Sequence, residues 1–172
     1  MPYHNAMSLA TVSAEGRPSG RIVLLKEVDE SGFRFFTNYN SRKSKDLEEN
    51  PFASLTFFWL GLEKQVRIEG KVHRVSDADS DSYFAMRPRG SQLGAWASDQ
   101  SELLSSREEL DARMVEYTRK FEGVSVPRPP HWGGYCLVPD KIEFWDNVPN
   151  RLHDRFEYTL IDSKWQIERL AP

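Results

Sequence analysis

This sequence predicts a mainly β fold: an antiparallel barrel, closed or partly closed, with flanking helices. Three observations carry that expectation. Many short segments alternate apolar with polar residues, turn-forming residues separate them at short intervals, and only three stretches combine helical spacing with end signals. Closure removes the sheet edges that so many strands would otherwise expose. Helices set between strand groups make the content α+β. At 172 residues the chain is expected to form one domain, residues 1–172, with enough material for a real core.

Met7, Leu9 and Thr11 alternate with other residues, and Ala14-Glu15-Gly16-Arg17-Pro18 reads as a turn. Residues 22–25 form a continuous apolar run, the pattern of a strand buried on both faces. Asp29-Glu30-Ser31-Gly32 breaks it before Phe33-Arg34-Phe35-Phe36-Thr37, which predicts a hairpin. Ser41 can cap a short helix that ends at Asn50, before Pro51. An aromatic-rich strand covers residues 52–59. Val66, Ile68, Val72 and Val75 then give an alternating strand with an expected bulge at Gly70.

Ser76 with Asp79 has the spacing of a capping box and opens a helix that stops near Pro88. Ser106 with Glu109 opens the clearest helix, in which Leu110, Met114, Tyr117 and Phe121 fall on one stripe and Gly123 supplies the stop. Val126-Pro127-Arg128-Pro129-Pro130 is a stiff extended connector. Two strands are expected over 135–138 and 141–145, followed by a closing hairpin that turns at Asp162-Ser163. The total is about eight strands and three helices, with no repeat and no low-complexity tract.

A net charge of -3 argues against bulk attraction to nucleic acid. The single cysteine, Cys136, allows no internal disulfide and sits in an apolar run, where it reads as a small buried hydrophobe. No apolar run approaches the ~20 residues of a membrane span. The first residues show neither a basic nor an apolar signal-peptide region, so a cytoplasmic protein is expected. Nucleotide-binding glycine loops, zinc-ligand spacing and a G-x-S-x-G elbow are absent from the sequence.

Basic and polar residues at strand ends and turns remain. Arg21 precedes the apolar run and Lys26 follows it. Arg42 and Lys43 open the first helix, where side-chain charge and unpaired backbone N–H groups can converge on a phosphate. Tyr83, Arg87 and Ser91 could hold a second phosphate, or could simply cap and solubilise a helix end. Arg151, His153 and Arg155 alternate, so in a strand or extended turn they would face one side. Three such groups repel unless an anion or aromatic ligand offsets them, or unless Glu143, Asp146 or Asp154 pairs with them. Trp145 reads as a core aromatic as readily as a ligand contact. Spacing leaves these readings open.

The run Ile142-Glu143-Phe144-Trp145-Asp146-Asn147-Val148-Pro149-Asn150-Arg151-Leu152-His153-Asp154-Arg155 closely resembles the signature of the pyridoxine (pyridoxamine) 5′-phosphate oxidase family. Ordered matches extend over nearly the whole chain. They include Asn5-Ala6-Met7, residues 21–26, Ser41-Arg42-Lys43, Gln65-Val66-Arg67, Tyr83-Phe84, Arg87-Pro88, Gln100-Ser101, Trp132-Gly133-Gly134-Tyr135 and Glu168-Arg169-Leu170-Ala171-Pro172.

The resemblance implies an FMN-binding split barrel, built as a homodimer with FMN between subunits. It places FMN contacts on Arg21, Ile22, Val23, Leu24, Phe36, Thr37, Arg42, Lys43, Gln65, Gln100, Ser101, Trp145 and Arg155. It places substrate contacts on Lys26, Tyr83, Arg87, Ser91, Arg151, Leu152 and His153. The implied reaction oxidises C4′ of pyridoxine or pyridoxamine 5′-phosphate, with O₂ as final acceptor and hydrogen peroxide released; no metal is implied. Arg151 and His153, the implied catalytic pair, would hold the pyridine ring against the flavin. Whether His153 also moves a proton is left open. The sequence departs from the family pattern at Asp146, where Gln, His or Gly is usual, and it begins without the longer N-terminal arm usual in the family.

Overall fold

A computed structural model describes residues 3–172. Nine strands and four helices are found among them, with short 3₁₀ turns at Leu60–Leu62 and Pro149–Arg151. The strands are β1 (Ala6–Val12), β2 (Pro18–Leu24), β3 (Glu27–Asp29), β4 (Gly32–Asn38), β5 (Phe52–Trp59), β6 (Lys64–Arg74), β7 (Trp132–Asp146), β8 (Asp154–Ile161) and β9 (Lys164–Arg169). The helices are α1 (Arg42–Glu49), α2 (Asp77–Met86), α3 (Arg89–Ala97) and α4 (Arg107–Lys120). The chain divides into two compact units. One comprises the chain up to Phe35, Asp46–His73 and Cys136–Pro172; the other comprises Phe36–Lys45 and Arg74–Tyr135.

The sheet runs β2-β1-β5-β6-β7-β4-β3, and β8 and β9 branch from β7. Lys141–Asp146 of β7 pairs with β8, antiparallel, with Glu143 opposite Glu157 and Trp145 opposite Arg155. Met7, Leu9, Leu55, Ile68 and Leu137 are fully buried in this first unit. Cys136 is buried too; its thiol donates to the Ser31 carbonyl at 3.3 Å, and burial raises its pKa. The β8–β9 hairpin turns through Asp162 (φ 47°) and Ser163 (φ 62°), the left-handed pair that a two-residue hairpin loop needs.

The second unit is built on a cluster of Phe84, Leu93, Phe121, Val126 and Trp132, with Tyr117 and Met114 of α4 packed against it. The caps predicted at Ser76 and Ser106 form. The Ser76 hydroxyl accepts from Asp79 N at 3.0 Å, and that of Ser106 from Glu109 N at 3.3 Å. The Glu109 carboxylate, however, reaches back to Ser105. Gly123 takes φ 71° just past α4, as a helix stop requires.

Four expectations change. The apolar run at residues 22–25 is not buried on both faces: β2 is the outer strand beside β1, and Ile22 is 68% exposed. The hairpin to β4 starts instead from the short β3, with Asp29 opposite Gly32. Gly70 marks no bulge against β5, because the register runs unbroken from Phe52 opposite Lys71 to Trp59 opposite Lys64. A Cβ there would lie 2.0 Å from the Val138 carbonyl oxygen, so the glycine allows a close backbone approach. The two strands expected over 135–145 are one, β7, which continues through Pro139.

The helix missed from sequence is α3. Its sequence contains Gly90 and Gly94 and follows Pro88, so propensity speaks against it. Burial of Leu93 and Ala97, and the Gln92 amide donating to the Phe84 carbonyl at 2.9 Å, override that preference.

Candidate active site

In the second unit, Thr37, Lys43 and Gln100 come together although they are far apart in sequence. The buried Lys43 ammonium donates to Gln100 Oε1 at 2.8 Å, Ser41 Oγ at 2.9 Å and Thr37 Oγ1 at 3.1 Å. Thr37 Oγ1 also donates to Gln100 Oε1 at 3.1 Å. The amide oxygen of Gln100 therefore faces the ammonium, and its NH₂ points the other way. Ser101 beside it is held at φ 74°, a left-handed conformation that non-glycine residues seldom adopt outside constrained sites. Arg42 is exposed on the first turn of α1, which carries no acidic side chain. Cations, hydroxyls and a helix N-terminus in one place suit a phosphate group.

A second arrangement in this unit surrounds Arg87, at the end of α2. Phe36 stacks on Tyr83 with centroids 4.0 Å apart, and Trp132 lies 5.5 Å from Phe36 in a near-parallel plane. The Arg87 guanidinium lies over Trp132, 4.6 Å from the ring centroid. Its Nη1 is buried and has no hydrogen-bond partner among the described residues, and no carboxylate there bridges it. Burial lowers the Arg87 pKa. A guanidinium partly desolvated without an anion is costly, and the fork-shaped donor set fits a phosphate. Ser91 sits on the exposed first turn of α3, four residues further along.

In the first unit the register fixes a polar row. Val66, Ile68, Ile142 and Phe144 line one side of the sheet, where an open apolar groove of about 580 Å³ is also bordered by Lys26 and Trp59. By the period of two, Gln65 and Arg67 of β6 and Glu143 and Trp145 of β7 take the other face, and Arg155 stands opposite Trp145. Glu143 is 3% exposed and accepts from Arg155 Nε at 2.8 Å and Nη2 at 3.2 Å, and also from Arg67. The Arg155 hydrogen bonds, with both guanidinium charges, hold the Glu143 carboxyl below the usual carboxylate range although burial opposes this.

Arg151 does not continue a strand face with His153 and Arg155, as simple alternation predicted. Asn150 and Arg151 are both left-handed, at φ 61° and 62°, and turn the chain ahead of β8. Arg151 and Leu152 are exposed at this turn. The His153 ring packs on Trp145 with centroids 4.6 Å apart, and its Nδ1 accepts from Val148 N at 3.3 Å. The start of the segment is anchored to the β5–β6 turn. Lys64 Nζ meets Asp146 Oδ2 at 3.0 Å, Asn147 N donates to the Glu63 carbonyl at 3.0 Å, and Asn147 Nδ2 donates to Glu63 Oε2 at 2.9 Å.

Arg21, Ile22, Val23 and Leu24 lie along β2 opposite Leu9, Ser8, Met7 and Ala6. The Arg21 guanidinium donates to Ser19 Oγ at 2.6 Å, Thr11 Oγ1 at 2.8 Å and the Leu9 carbonyl at 3.1 Å. Asp46, buried, ties the same hydroxyls from α1. Arg67, Trp132 and Asp46 were not singled out from sequence as site residues. The i,i+2 spacing of Arg67 from Gln65 was a usable signal; nothing in the sequence places Trp132 under Arg87.

Comparison with known proteins matches these features. Residues 1–120 match the family described as pyridoxamine 5′-phosphate oxidase, and residues 132–172 match the pyridoxine 5′-phosphate oxidase C-terminal dimerisation region. A pyridoxine/pyridoxamine 5′-phosphate oxidase from Paraburkholderia phytofirmans is 58% identical over 174 residues, covering 100% of this chain and 81% of the relative. One from Synechocystis sp. is 52% identical over 172 residues, covering 100% of this chain and 80% of the relative. Among solved structures, PhzG from Burkholderia lata 383, in complex with tetrahydrophenazine-1-carboxylic acid, superposes with TM-score 0.94 at 33% identity, covering 99% of this chain and 83% of that one. An FMN-binding, pyridoxamine 5′-phosphate oxidase-related protein from Nostoc punctiforme shares the fold, with TM-score 0.80 at 17% identity, covering 100% of this chain and 90% of that one. The fold is thus the split barrel expected from sequence, and the chain belongs to the pyridoxamine 5′-phosphate oxidase family.

Proposed function

We propose that the protein is an FMN-dependent oxidase that converts pyridoxine 5′-phosphate and pyridoxamine 5′-phosphate to pyridoxal 5′-phosphate. The alcohol and O₂ give the aldehyde and hydrogen peroxide; the amine, O₂ and water give the aldehyde, ammonia and hydrogen peroxide. The family match and relatives above 50% identity over the full chain support this activity. The observation in the molecule that carries it is Arg87, a half-buried guanidinium over Trp132 whose Nη1 is buried without a partner and which no carboxylate bridges among the described residues.

In this reading Arg87, Tyr83, Ser91 and Lys26 take the substrate phosphate. Arg151, Leu152 and His153 hold the pyridine ring, and the left-handed Asn150-Arg151 turn aims them. Lys43, Arg42, Thr37, Gln100 and Ser101 take the FMN phosphate side. Arg21, Ile22, Val23, Leu24, Phe36, Gln65, Trp145 and Arg155 complete the flavin set. The cluster around Lys43 and the Glu143-held guanidiniums suit an anionic, planar cofactor. Bound FMN supplies the hydride acceptor, and the protein's part is to bind, orient and exclude water. The packing of His153 on Trp145 supports a role in orienting the ring.

The protein acts as a homodimer, consistent with its match to a dimerisation region, with FMN between subunits and residues 1–172 working as one domain. No helix among the described residues is long and apolar enough to cross a membrane, and a cytoplasmic location fits the single buried cysteine. Nucleic acid is not a partner in this reading. The test is to add pyridoxine 5′-phosphate to FMN-loaded protein under air and follow peroxide and pyridoxal 5′-phosphate. Equal turnover of unphosphorylated pyridoxine, or none with either compound, would refute the proposal.

A further inference from the structure

We infer that Glu143 is a positioning residue for the flavin, holding Arg155 and Arg67 side by side so that Arg67 becomes a further FMN contact. The inference rests on the assignment of Gln65, Trp145 and Arg155 to FMN made above. Those three residues and Arg67 occupy one face of three neighbouring strands, β6, β7 and β8. A carboxylate buried to 3% exposure in the middle of that face is tolerable only with charged donors around it, and it has two.

One carboxylate hydrogen-bonded to two guanidiniums leaves a surplus positive charge; Glu157, opposite Glu143, also acts on Arg155 but pairs with Lys141 at 3.4 Å. Arg67 also has an Nε that is buried with no hydrogen-bond partner among the described residues. Structures seldom leave a buried donor unsatisfied unless a ligand or water completes it. A sheet lock alone needs one arginine; the second cation with an open donor beside Gln65 is arranged for an anionic or electron-rich planar group. Glu143 would touch neither flavin nor substrate and acts through the two guanidiniums.

The test titrates FMN into flavin-stripped protein by fluorescence quenching and records the thermal midpoint of each variant. Glu143→Gln and Arg67→Met are each expected to weaken FMN binding by about tenfold to a hundredfold, the range for losing charge-assisted hydrogen bonds. Glu143→Asp should recover part of the loss. Glu143→Gln that melts earlier yet binds FMN as tightly as wild type would overturn the inference and leave Glu143 a structural lock. If Arg155→Met also binds FMN normally, the assignment of this face to flavin falls with it. If Arg155→Met binds weakly while the Glu143 and Arg67 variants bind normally, only the present inference falls. Should Glu143→Gln not fold, Arg67→Met and Glu143→Asp decide on the same readout.

Discussion

The guanidinium of Arg87 lies over the indole of Trp132, 4.6 Å from the ring centroid, and its Nη1 has no acceptor among the described residues. Contact with the indole holds the guanidinium in place, and partial burial strengthens its attraction to an anion. Arg87→Ala should raise KM for pyridoxine 5′-phosphate by roughly thirtyfold to a thousandfold, the cost of removing one partner from a buried charge pair. FMN affinity should stay within about threefold of wild type on the same energy scale. Arg87→Lys should recover little, because an ammonium neither stacks flat nor presents a fork. Steady-state kinetics beside an FMN titration check both statements.

Lys43 tests the other phosphate arrangement. Its ammonium gathers Thr37, Ser41 and Gln100 within 3.1 Å and fixes the direction of the Gln100 amide. Lys43→Met is expected to weaken FMN binding by about tenfold to a hundredfold and to leave KM for the phosphorylated substrate nearly unchanged in FMN-saturated enzyme. A variant that keeps normal FMN affinity but loses substrate affinity would reverse the two assignments.

Gly70 gives a stability prediction. Any Cβ at this position would stand 2.0 Å from the Val138 oxygen and 2.9 Å from Pro139 Cα, both backbone atoms that cannot swing aside. Gly70→Ala should cost about 1–3 kcal/mol or more, as overpacking does, and lower the thermal midpoint by several degrees. Gly20→Ala, with nothing within 4 Å of the added atom, is the matched control and should change little. Equal melting of the two variants would show that the β6–β7 approach relaxes cheaply.

The contrast between these glycines shows what local pattern could reveal. Alternation and turn chemistry located β1, β4, β5 and the closing hairpin, and the two serine caps placed the starts of α2 and α4. Pattern failed where the deciding neighbour was distant in sequence. Gly70 answers to Val138, α3 forms because Leu93 and Ala97 are buried, and Ile22 is exposed on β2, which lies at the end of the sheet order. The site divides the same way. Arg42-Lys43 and the 143–155 run are contiguous and legible. The Trp132 platform and the Glu143 clamp depend on pairings that only the folded chain sets.

Glu143 also predicts an acid sensitivity. Its folded-state pKa lies below the unfolded value because Arg155 and Arg67 favour the carboxylate. The group therefore contributes stability that is fully present above the ordinary carboxylate pKa and is lost as pH falls through the depressed folded value. Wild-type protein should lose thermal stability on acidification below about pH 4.5, and Glu143→Gln, which cannot titrate, should show a shallower slope from a lower starting point. Parallel slopes would mean that other carboxylates carry the acid transition.

Asp146, the departure from the family pattern within the signature, pairs with Lys64 at 3.0 Å, but both side chains are about half exposed. Such a pair is worth about 0–1 kcal/mol and is screened by salt. The neighbouring Asn147 bonds Glu63 through both its backbone and its side chain, so the segment ahead of Arg151 has an anchor independent of position 146. Asp146→Gln should therefore shift stability by less than about 1 kcal/mol and kcat/KM by only a few-fold, with the effect vanishing at high salt. Asn147→Ala should do more, raising KM by loosening the Asn150-Arg151 turn. Kinetics at low and high ionic strength separate the two, and a large, salt-independent loss in Asp146→Gln would show that this residue sets the turn itself.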